Sequence, residues 1–385
     1  MSQARTYLAN ASGWYDAVVV GAGPAGSVVA RELARRGRQV LLVEKATFPR
    51  SKICGGCLNG AGVAALEGIG LGHLPNRFGT PLRALSLHCA GKRTTIAIGN
   101  NVVVSRDAFD MALAEEAVAE GAILRFGAEA RPESADENLR TLRLTQSGRV
   151  TSVSTKVVIV AAGLNGWHEA DVATRRRPQR GSRVGAGVIL PECPSNLEPG
   201  VVTMSVGVGG YVGLVRLCDG RLDIAAAFDK SFLASAGGPA NAASLILGQA
   251  GVPPPAGMAD FPWLGTPALS HQLPRMALDR TFFVGDAAGY VEPFTGEGMA
   301  WAIESACELA PLAARAIEAY SPSITAEWWE RRRQLLARRM TVCGMVGRLL
   351  RHPWLASLTT TVLARAPWLA APLVHSINRT RSVVQ

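Results

Sequence analysis

The chain of 385 residues is long enough for one large domain or two closely joined domains, and 48% hydrophobic with 18% charged residues excludes a disordered polymer. Its 41 glycines and 22 prolines show no three-residue period, which excludes a collagen-like helix. Residues 331–385 hold ten arginines and no acidic residue, so the whole formal charge of +10 lies in this last segment.

The cysteines and the amino terminus indicate a reducing compartment. Seven cysteines are an odd number and lie mostly in apolar runs, which disfavours a disulfide framework. Residues 1–16 lack the apolar core of a signal peptide, and the longest uncharged run, 231–259, is broken by glycine and proline. We expect a cytoplasmic protein that associates with a membrane peripherally, if at all.

The first predicted elements are an apolar strand at 17–20, a glycine turn at 21–26 and a helix to about residue 36. A second apolar strand covers 39–43 and is followed by Glu44. A GxGxxG turn between strand and helix, with an acid after the next strand, is typical of dinucleotide binding. The alternative is a structural glycine turn with a surface glutamate.

Each residue of this turn has a physical task. Gly21 permits the tight turn, Gly23 lets the backbone approach a pyrophosphate, and Gly26 lets the helix pack close to the strand. The helix N-terminus offers free N–H groups to the anion, and Glu44 would accept hydrogen bonds from an adenosine ribose.

The rest of the chain is richer in strands than a plain dinucleotide fold. We predict a hairpin at 81–98, strands at 102–104, 123–126, 139–145, 150–160, 183–190, 201–206, 211–217, 222–228 and 281–284, and helices at about 107–119, from Gly298 and from about 325. This order indicates a sheet domain inserted into an α/β domain.

Two later motifs carry a family resemblance. Residues 282–289 (FFVGDAAG) and 293–299 (PFTGEGM), with the glycine turn, resemble the flavoprotein superfamily of group A monooxygenases, flavin halogenases and geranylgeranyl reductases. Residues 48–56 (FPRSKICGG) resemble the geranylgeranyl reductase branch. An Asp after a strand can bind ribityl hydroxyls, and a helix that starts at the second motif can stabilise negative charge on a reduced flavin.

The resemblance implies the α/β class, α+β overall. The expected fold is a Rossmann-like FAD-binding domain of the glutathione reductase and para-hydroxybenzoate hydroxylase type, with an inserted, mainly antiparallel β-sheet substrate domain and a helical carboxyl-terminal tail. The expected boundaries are 1–80, 100–180 and 275–320 for the FAD-binding domain, 81–99 and 181–274 for the substrate domain, and 321–385 for the basic amphipathic tail.

FAD is the implied cofactor, and NAD(P)H or an external electron carrier is the implied transient reductant, because no second complete glycine fingerprint is present. Arg106 in its VxRxxFD setting matches the family arginine that contacts the cofactor, and Ala128 lies where its backbone would touch adenine. The expected FAD-binding residues are Gly21, Gly23, Ala25, Gly26, Glu44, Cys54, Gly55, Cys57, Arg106, Ala128, Gly285, Asp286, Pro293, Gly296, Gly298 and Met299.

Departures from the motifs of related flavoproteins reduce the number of reactions expected of this chain. Ala162 replaces an Asp found in monooxygenases, Gly289 replaces a His common in hydroxylases, and the tryptophan-based halogenase signature is absent. Cys57 replaces a usual glycine, so Cys54 and Cys57 form a Cys-x-x-Cys pair whose spacing would lower a thiol pKa if it were redox-active. A structural pair is the alternative.

Cys54 and Glu297 are the candidate catalytic residues, since both lie near the expected flavin ring; a solvated acid at a helix start is the alternative for Glu297. The six histidines are dispersed, so no metal site is expected.

The basic tail interleaves arginine with leucine and tryptophan, which is typical of helices on an anionic membrane surface. Ordinary solvated helices that close the substrate domain are the alternative; nucleic acid is not expected, because residues 1–330 are neutral overall and no recognition motif accompanies the charge.

The leading hypothesis is an FAD enzyme that reduces a C=C bond in a long hydrophobic substrate, isoprenoid or polyketide-like. The alternatives are an NAD(P)H-dependent monooxygenase that hydroxylates or epoxidises such a substrate, and a flavin-binding membrane protein without turnover. The substrate's identity, the electron donor and the oligomeric state are not predicted.

Overall fold

Two eight-stranded sheets and a set of helices build the part of the chain that the computed structural model describes, residues 13–165, 167, 177–273, 277–292, 294 and 296–378. The strands are β1 (Trp14–Val20), β2 (Val40–Glu44), β3 (Cys57–Leu58), β4 (Gly79–Cys89), β5 (Lys92–Val104), β6 (Ile123–Phe126), β7 (Ala128–Ala135), β8 (Arg140–Gln146), β9 (Arg149–Val160), β10 (Arg177–Pro178), β11 (Val184–Leu190), β12 (Val201–Gly207), β13 (Gly210–Arg216), β14 (Leu222–Phe228), β15 (Leu264–Ala268), β16 (His271–Gln272), β17 (Ala277–Leu278) and β18 (Thr281–Phe283).

The helices surround these sheets and continue to the end of the described chain. They are α1 (Pro24–Ala34), α2 (Gly60–Gly68), α3 (His73–Phe78), α4 (Arg106–Ala119), α5 (Lys230–Ser235), α6 (Pro239–Ala250), α7 (Gly298–Glu318), α8 (Pro322–Leu349), α9 (Pro353–Arg365) and α10 (Ala371–Asn378), and 3₁₀ turns lie at Gly163–Asn165, Gly285–Ala288 and Pro367–Ala370.

The first sheet is the dinucleotide-type sheet. Its strands run in the order β17-β18-β9-β1-β2-β6, and β1 pairs in parallel with both β2 and β9. Residues 17–20 of β1 and all of β2 are buried, as expected for parallel strands covered on both faces. Helices α1, α4 and α7 pack together on this sheet. The predicted Rossmann-like α/β fold is confirmed.

The second sheet has the order β15-β11-β14-β13-β12-β4-β5-β3 and is antiparallel except for the parallel pair β4 and β12. The predicted hairpin at 81–98 is present as β4 and β5, which reach residues 79 and 104. Residues 57–58 and 100–104, which the predicted boundaries assign to the FAD-binding domain, pair within this second sheet. The division into domains itself stays a prediction.

Four helices and several short strands were missed by the sequence analysis. Helices α2 and α3 follow β3, and helices α5 and α6 lie in and beside the long uncharged run. Helix α6 buries Ile246, Leu247 and three alanines against β12 and β13. None of the described helices is both long and apolar enough to cross a membrane.

Candidate active site

A cavity of about 910 Å³ extends from the first glycine turn into the second sheet. One part of its wall comes from the β1–α1 turn, residues 50–57 and the 3₁₀ turn at Gly285–Ala288. The other part comes from β4, β5, β12, β13, β14 and the carboxyl-terminal helices. Its volume is in the range of ligand and cofactor sites.

The glycine turn leaves no room for side chains at two positions. A Cβ on Gly21 would lie 2.4 Å from the Ala161 carbonyl oxygen, and Gly21 has φ +105°. A Cβ on Gly26 would lie 1.8 Å from the Gly21 carbonyl oxygen. A Cβ on Gly23 would meet nothing nearer than the Arg50 guanidinium at 3.8 Å, so this position is open to a ligand. The three glycines therefore have the geometry that a bound pyrophosphate requires.

Glu44 is buried at the end of β2 and is fixed by the backbone. Its carboxylate accepts hydrogen bonds from the N–H of Ala22 at 2.9 Å and of Ala46 at 3.0 Å. Because the Ala22 N–H belongs to the glycine turn, Glu44 and the turn are positioned as one unit. Glu44 and Ala128 both line the cavity, as expected for an adenosine site.

A cluster of cations lines the same part of the cavity. Arg106 forms a bidentate pair with the buried Asp110 at 2.9 and 2.7 Å, and Arg50 approaches the same carboxylate at 3.3 Å. Burial acts to lower the pKa of Arg106, but Asp110 outweighs it, so the net shift is upward. Burial and the nearby Arg106 lower the pKa of Lys52. Such a cluster suits a bound diphosphate.

The 3₁₀ turn and the start of α7 form the other end of the cofactor region. Asp286 and Met299 line the cavity there, and a Cβ on Gly285 would lie 3.1 Å from the Cβ of Ala25. A Cβ on Gly296 would lie 3.0 Å from the Cβ of Cys57. The Cys-x-x-Cys segment and the 296–299 turn therefore meet at one end of the cavity.

The structure brings most of the predicted cofactor residues to this cavity, although their roles stay predictions. Gly26 lies beneath the turn, and Pro293 lies outside the described residues. The predicted residues that line the cavity are Gly21, Gly23, Ala25, Glu44, Cys54, Gly55, Cys57, Arg106, Ala128, Gly285, Asp286, Gly296, Gly298 and Met299.

Glu297 is not the solvated acid that was the alternative. It is 1% exposed, and its carboxylate accepts hydrogen bonds from Arg339 at 2.9 Å and from the Trp301 indole at 3.3 Å. Arg339 also pairs with Glu304 at 2.5 Å. The long helix α8 therefore supplies the cation that holds Glu297 at the start of α7, which favours a positioning role over proton transfer.

The pKa of Cys57 is shifted in the direction opposite to that of an activated dithiol. Burial raises the pKa of Cys57 to about 12, and the neighbouring Cys54 adds to the shift. The Cys57 thiol donates to the Gly55 carbonyl at 3.2 Å. Burial therefore outweighs any lowering of the thiol pKa by the Cys-x-x-Cys spacing, which favours the structural pair over the redox-active pair. Cys54 instead contacts the Arg106 guanidinium.

The sequence analysis did not select several titratable residues near the cavity. Lys52 and Arg50 were quoted in the motif but given no role, and Tyr211 and Tyr290 line the cavity beyond it. Asp223 lies within the apolar strand β14 and is 7% exposed. Burial raises its pKa to about 8, although the nearby Arg106 and Arg221 act to lower it. A lone acid in an otherwise apolar strand was the signal available for Asp223.

Tyr211 belongs to a buried charged network. Its hydroxyl lies near Glu292, which pairs with Arg183 at 3.1 Å, and the Arg183 guanidinium lies 5.5 Å from the centre of the Tyr211 ring. Arg351, after α8, contacts the same Glu292 at 3.6 Å. This network ties the second sheet, the 285–298 segment and the tail together at the cavity wall.

The remaining wall is apolar. Strands of the second sheet contribute Leu82, Leu85, Leu87, Ile96, Ile98, Val202, Met204 and Val215, and the tail contributes Val346, Leu349, Leu350, Leu363, Leu369, Leu373, Val374 and Ile377. Asn59 and Gly60 hold the end of α10 through hydrogen bonds with Ile377 and Asn378. The tail thus forms part of the wall of the apolar half, as in the alternative in which these helices close the substrate domain.

The arginines of the tail are less available than their number suggests. Arg332 donates to the Gly289 carbonyl, Arg339 is paired as described, and both are buried. Trp328 is fully buried, and its indole donates to the Phe283 carbonyl at 3.1 Å. Helix α8 is therefore an integral part of the fold. No group of three potential metal ligands occurs within the described ranges.

Comparison with known proteins supports the FAD assignment. Residues 15–199 match the FAD binding domain family. The chain is 29% identical over 355 residues to a menaquinone reductase of Mycobacterium tuberculosis, covering 82% of this chain and 81% of the relative. It is 26% identical over 324 residues to a digeranylgeranylglycerophospholipid reductase of Methanosarcina acetivorans, covering 76% and 73%.

Solved structures share the fold. A geranylgeranyl bacteriochlorophyll reductase-like protein of Thermoplasma acidophilum superposes with a TM-score of 0.72 at 19% identity, covering 97% of this chain and 94% of that one. Flavin-dependent halogenases are also structural neighbours, so the fold alone does not separate these reactions. The glycine cradle, the fixed Glu44 and the cation cluster fit an FAD. The chain therefore contains an FAD binding domain, and over most of its length it is similar to a menaquinone reductase and a digeranylgeranylglycerophospholipid reductase.

Proposed function

We propose that this FAD-dependent oxidoreductase reduces a C=C bond in a long hydrophobic substrate, isoprenoid or polyketide-like. The observation that carries the proposal is that one continuous cavity has two different ends. The dinucleotide-binding turn lies at its polar end, and leucine, isoleucine and valine side chains line its other end. A long apolar chain can lie in the second part with one bond beside the cofactor. The relatives named for menaquinone and for a digeranylgeranyl phospholipid support this substrate class.

FAD, when bound and reduced, would supply the hydride to one carbon of the double bond, and a nearby acid or water would supply the proton to the other carbon. In the proposal, Gly21, Gly23 and Glu44 bind its adenosine and pyrophosphate, and Asp286 binds its ribityl chain. Arg106 orients Cys54, which it contacts on the cavity wall. The apolar wall excludes water from the substrate.

Cys54 is the remaining candidate for direct contact with the reacting atoms. Glu297 is engaged with Arg339 and Trp301, whereas Cys54 lines the cavity beside Arg106. We assign no binding residues to the reductant. NAD(P)H or a separate electron carrier would reach the cofactor transiently.

The test is anaerobic. The purified yellow protein is reduced chemically, mixed with a menaquinone carrying an unsaturated side chain or with a digeranylgeranyl phospholipid, and followed by flavin absorbance and product mass. Reoxidation without O₂ and a product with two additional hydrogen atoms in its isoprenoid chain, which remain after any quinol has been reoxidised to the quinone in air, support the reductase. Reoxidation that requires O₂, with a product containing one additional oxygen atom, would establish the monooxygenase instead.

A further inference from the structure

The outer face of helix α9 and of the 3₁₀ turn that follows it is apolar. Trp354, Leu358 and Val362 are spaced by four residues and share one face of α9, and Trp368 and Leu369 continue this surface. Trp354 is 66% exposed and Trp368 is 72% exposed, the two highest values among the large hydrophobic residues. These five residues are called the tryptophan face.

A helix on a water-facing surface normally turns polar residues outward. Helix α9 does the reverse: its small inner residues Ala356 and Thr360 are buried, and it packs against β4 and β5. Large apolar side chains therefore remain outside although the inner face is already packed. An exposed apolar surface of this kind indicates a binding surface.

The charge around this face selects the partner. Arg348 precedes the tryptophan face and Arg365 lies within it; both are exposed, and neither has an ion pair within the described part of the chain. No acidic residue occurs anywhere in 331–385. By contrast, Arg331, Arg333 and Arg339 have carboxylate partners.

We propose that the tryptophan face docks this protein on an anionic lipid bilayer. Tryptophan rings suit the interface between head groups and acyl chains, and unpaired arginines beside them attract anionic head groups. The docking residues are thus not Arg331, Arg332, Arg333 and Arg339 of α8, which have partners within the protein. They lie about twenty residues further along the chain, at 353–369.

The cavity opens at the same face. Leu369 is 45% exposed and also lines the cavity, so the cavity wall reaches the tryptophan face at this residue. Thr359 and Leu363 of α9 and Leu373 of α10 line the interior behind it. A lipid would pass from the bilayer into the cavity without crossing water. This second step rests on the proposed function, whereas the docking itself does not.

The docking test uses the full-length, flavin-loaded protein and two kinds of vesicle, phosphatidylcholine alone and phosphatidylcholine with phosphatidylglycerol. We expect co-sedimentation with the anionic vesicles and at least about tenfold weaker partitioning for the double variant Trp354→Ser with Trp368→Ser. Trp329→Ser is the matched control, because Trp329 is 40% exposed but belongs to α8, about 30 Å before the carboxyl-terminal end of that helix and outside the tryptophan face. Equal binding by the double variant and the control would overturn the proposal.

Two further measurements separate the remaining outcomes. An unchanged melting temperature shows that the double variant is folded. A sedimentation measurement without lipid shows whether the tryptophan face joins two copies of the protein; a dimer in the parent protein that is absent from the double variant would overturn membrane docking.

Activity is then compared on lipid in vesicles and in detergent micelles. We expect the double variant to lose activity only on vesicles. If the lipid is reduced neither in vesicles nor in micelles, the proposed reaction is wrong, whereas the result on vesicle binding still stands.

Discussion

The cavity has two halves with different chemistry: a polar cofactor half at the glycine turn and an apolar half, the proposed substrate half. The cofactor half is built from fixed polar contacts: Ala22 N–H to Glu44 at 2.9 Å and Arg106 to Asp110 at 2.7 Å. The substrate half is built from aliphatic side chains on strands and helices that are far apart in the chain. Charges and backbone N–H groups require particular residues at fixed spacing, whereas an apolar wall requires only the right volume.

The largest expected effect tests the cofactor half. Gly26→Ala places a Cβ 1.8 Å from the Gly21 carbonyl oxygen, which forces the turn away from α1. We expect purified Gly26→Ala to be nearly colourless and less stable by several kcal/mol, on the order of an overpacked core site or more. Flavin absorbance relative to protein absorbance and a thermal melt measure both effects.

Gly248→Ala is the matched control, since Gly248 is also a helical glycine and a Cβ there would meet nothing within 4 Å. It should keep full flavin content and gain up to about 1 kcal/mol from helix propensity. A fully yellow Gly26→Ala protein with normal stability would show that close packing at this turn is not required.

The second expected effect tests the substrate half. Ile96 on β5 is 8% exposed and lines the apolar wall. Ile96→Trp should leave flavin content unchanged and reduce turnover of a long lipid at least about tenfold, because the larger ring fills the space for the chain. Val150→Trp, at an exposed position on β9, should change neither quantity. Loss of flavin from Ile96→Trp would mean that the two halves are not independent.

The third effect concerns Asp223, which lies on β14 of the second sheet but near Arg106 and Cys57. Burial raises its pKa to about 8 from an ordinary value of 3.8, so between these pH values the folded state holds a proton that the unfolded state releases. Its contribution to stability is therefore complete below about pH 4 and is lost as the pH rises to about 8, by about 1.4 kcal/mol per pH unit.

Asp223→Asn should remove this contribution to the pH dependence. Thermal melts or urea titrations between pH 5 and about 8 would show a flatter stability profile than the parent protein. Asp260→Asn, at an exposed position, should leave the profile unchanged. If Asp223→Asn kept the parent slope, a proton on Asp223 would not be its cause.

The same contrast explains what the sequence could predict. The unit β1–α1–β2 and the β4–β5 hairpin were predicted because apolar runs and glycine turns are local signals. Helix α6 was missed because alanine, leucine and glycine in an uncharged run fit several structures. Glu297 was misjudged because its partner Arg339 lies 42 residues later, and only the fold brings them together.

The apolar wall could be predicted only as a class. The sequence allowed helices that close a substrate domain, but no local pattern assigns Leu363 or Leu373 to the cavity rather than to an ordinary core. Arginine counting likewise cannot separate Arg339, which is paired inside the protein, from Arg348, which is exposed. Both distinctions depend on contacts between distant segments.

The smallest expected effect is at Cys57, where the two halves meet. With its pKa raised to about 12, the Cys57 thiol stays protonated near neutral pH and is a poor nucleophile for disulfide exchange. Cys57→Gly should therefore keep flavin content and lipid reduction within about twofold of the parent protein, at a modest cost in stability for a lost buried side chain. Thiol titration of the folded protein, before and after reduction, should show no Cys54–Cys57 disulfide formed in turnover. A folded, yellow Cys57→Gly protein without activity would instead assign the chemistry to the thiol pair. The reaction would then depend on Cys57 although its raised pKa keeps the thiol protonated.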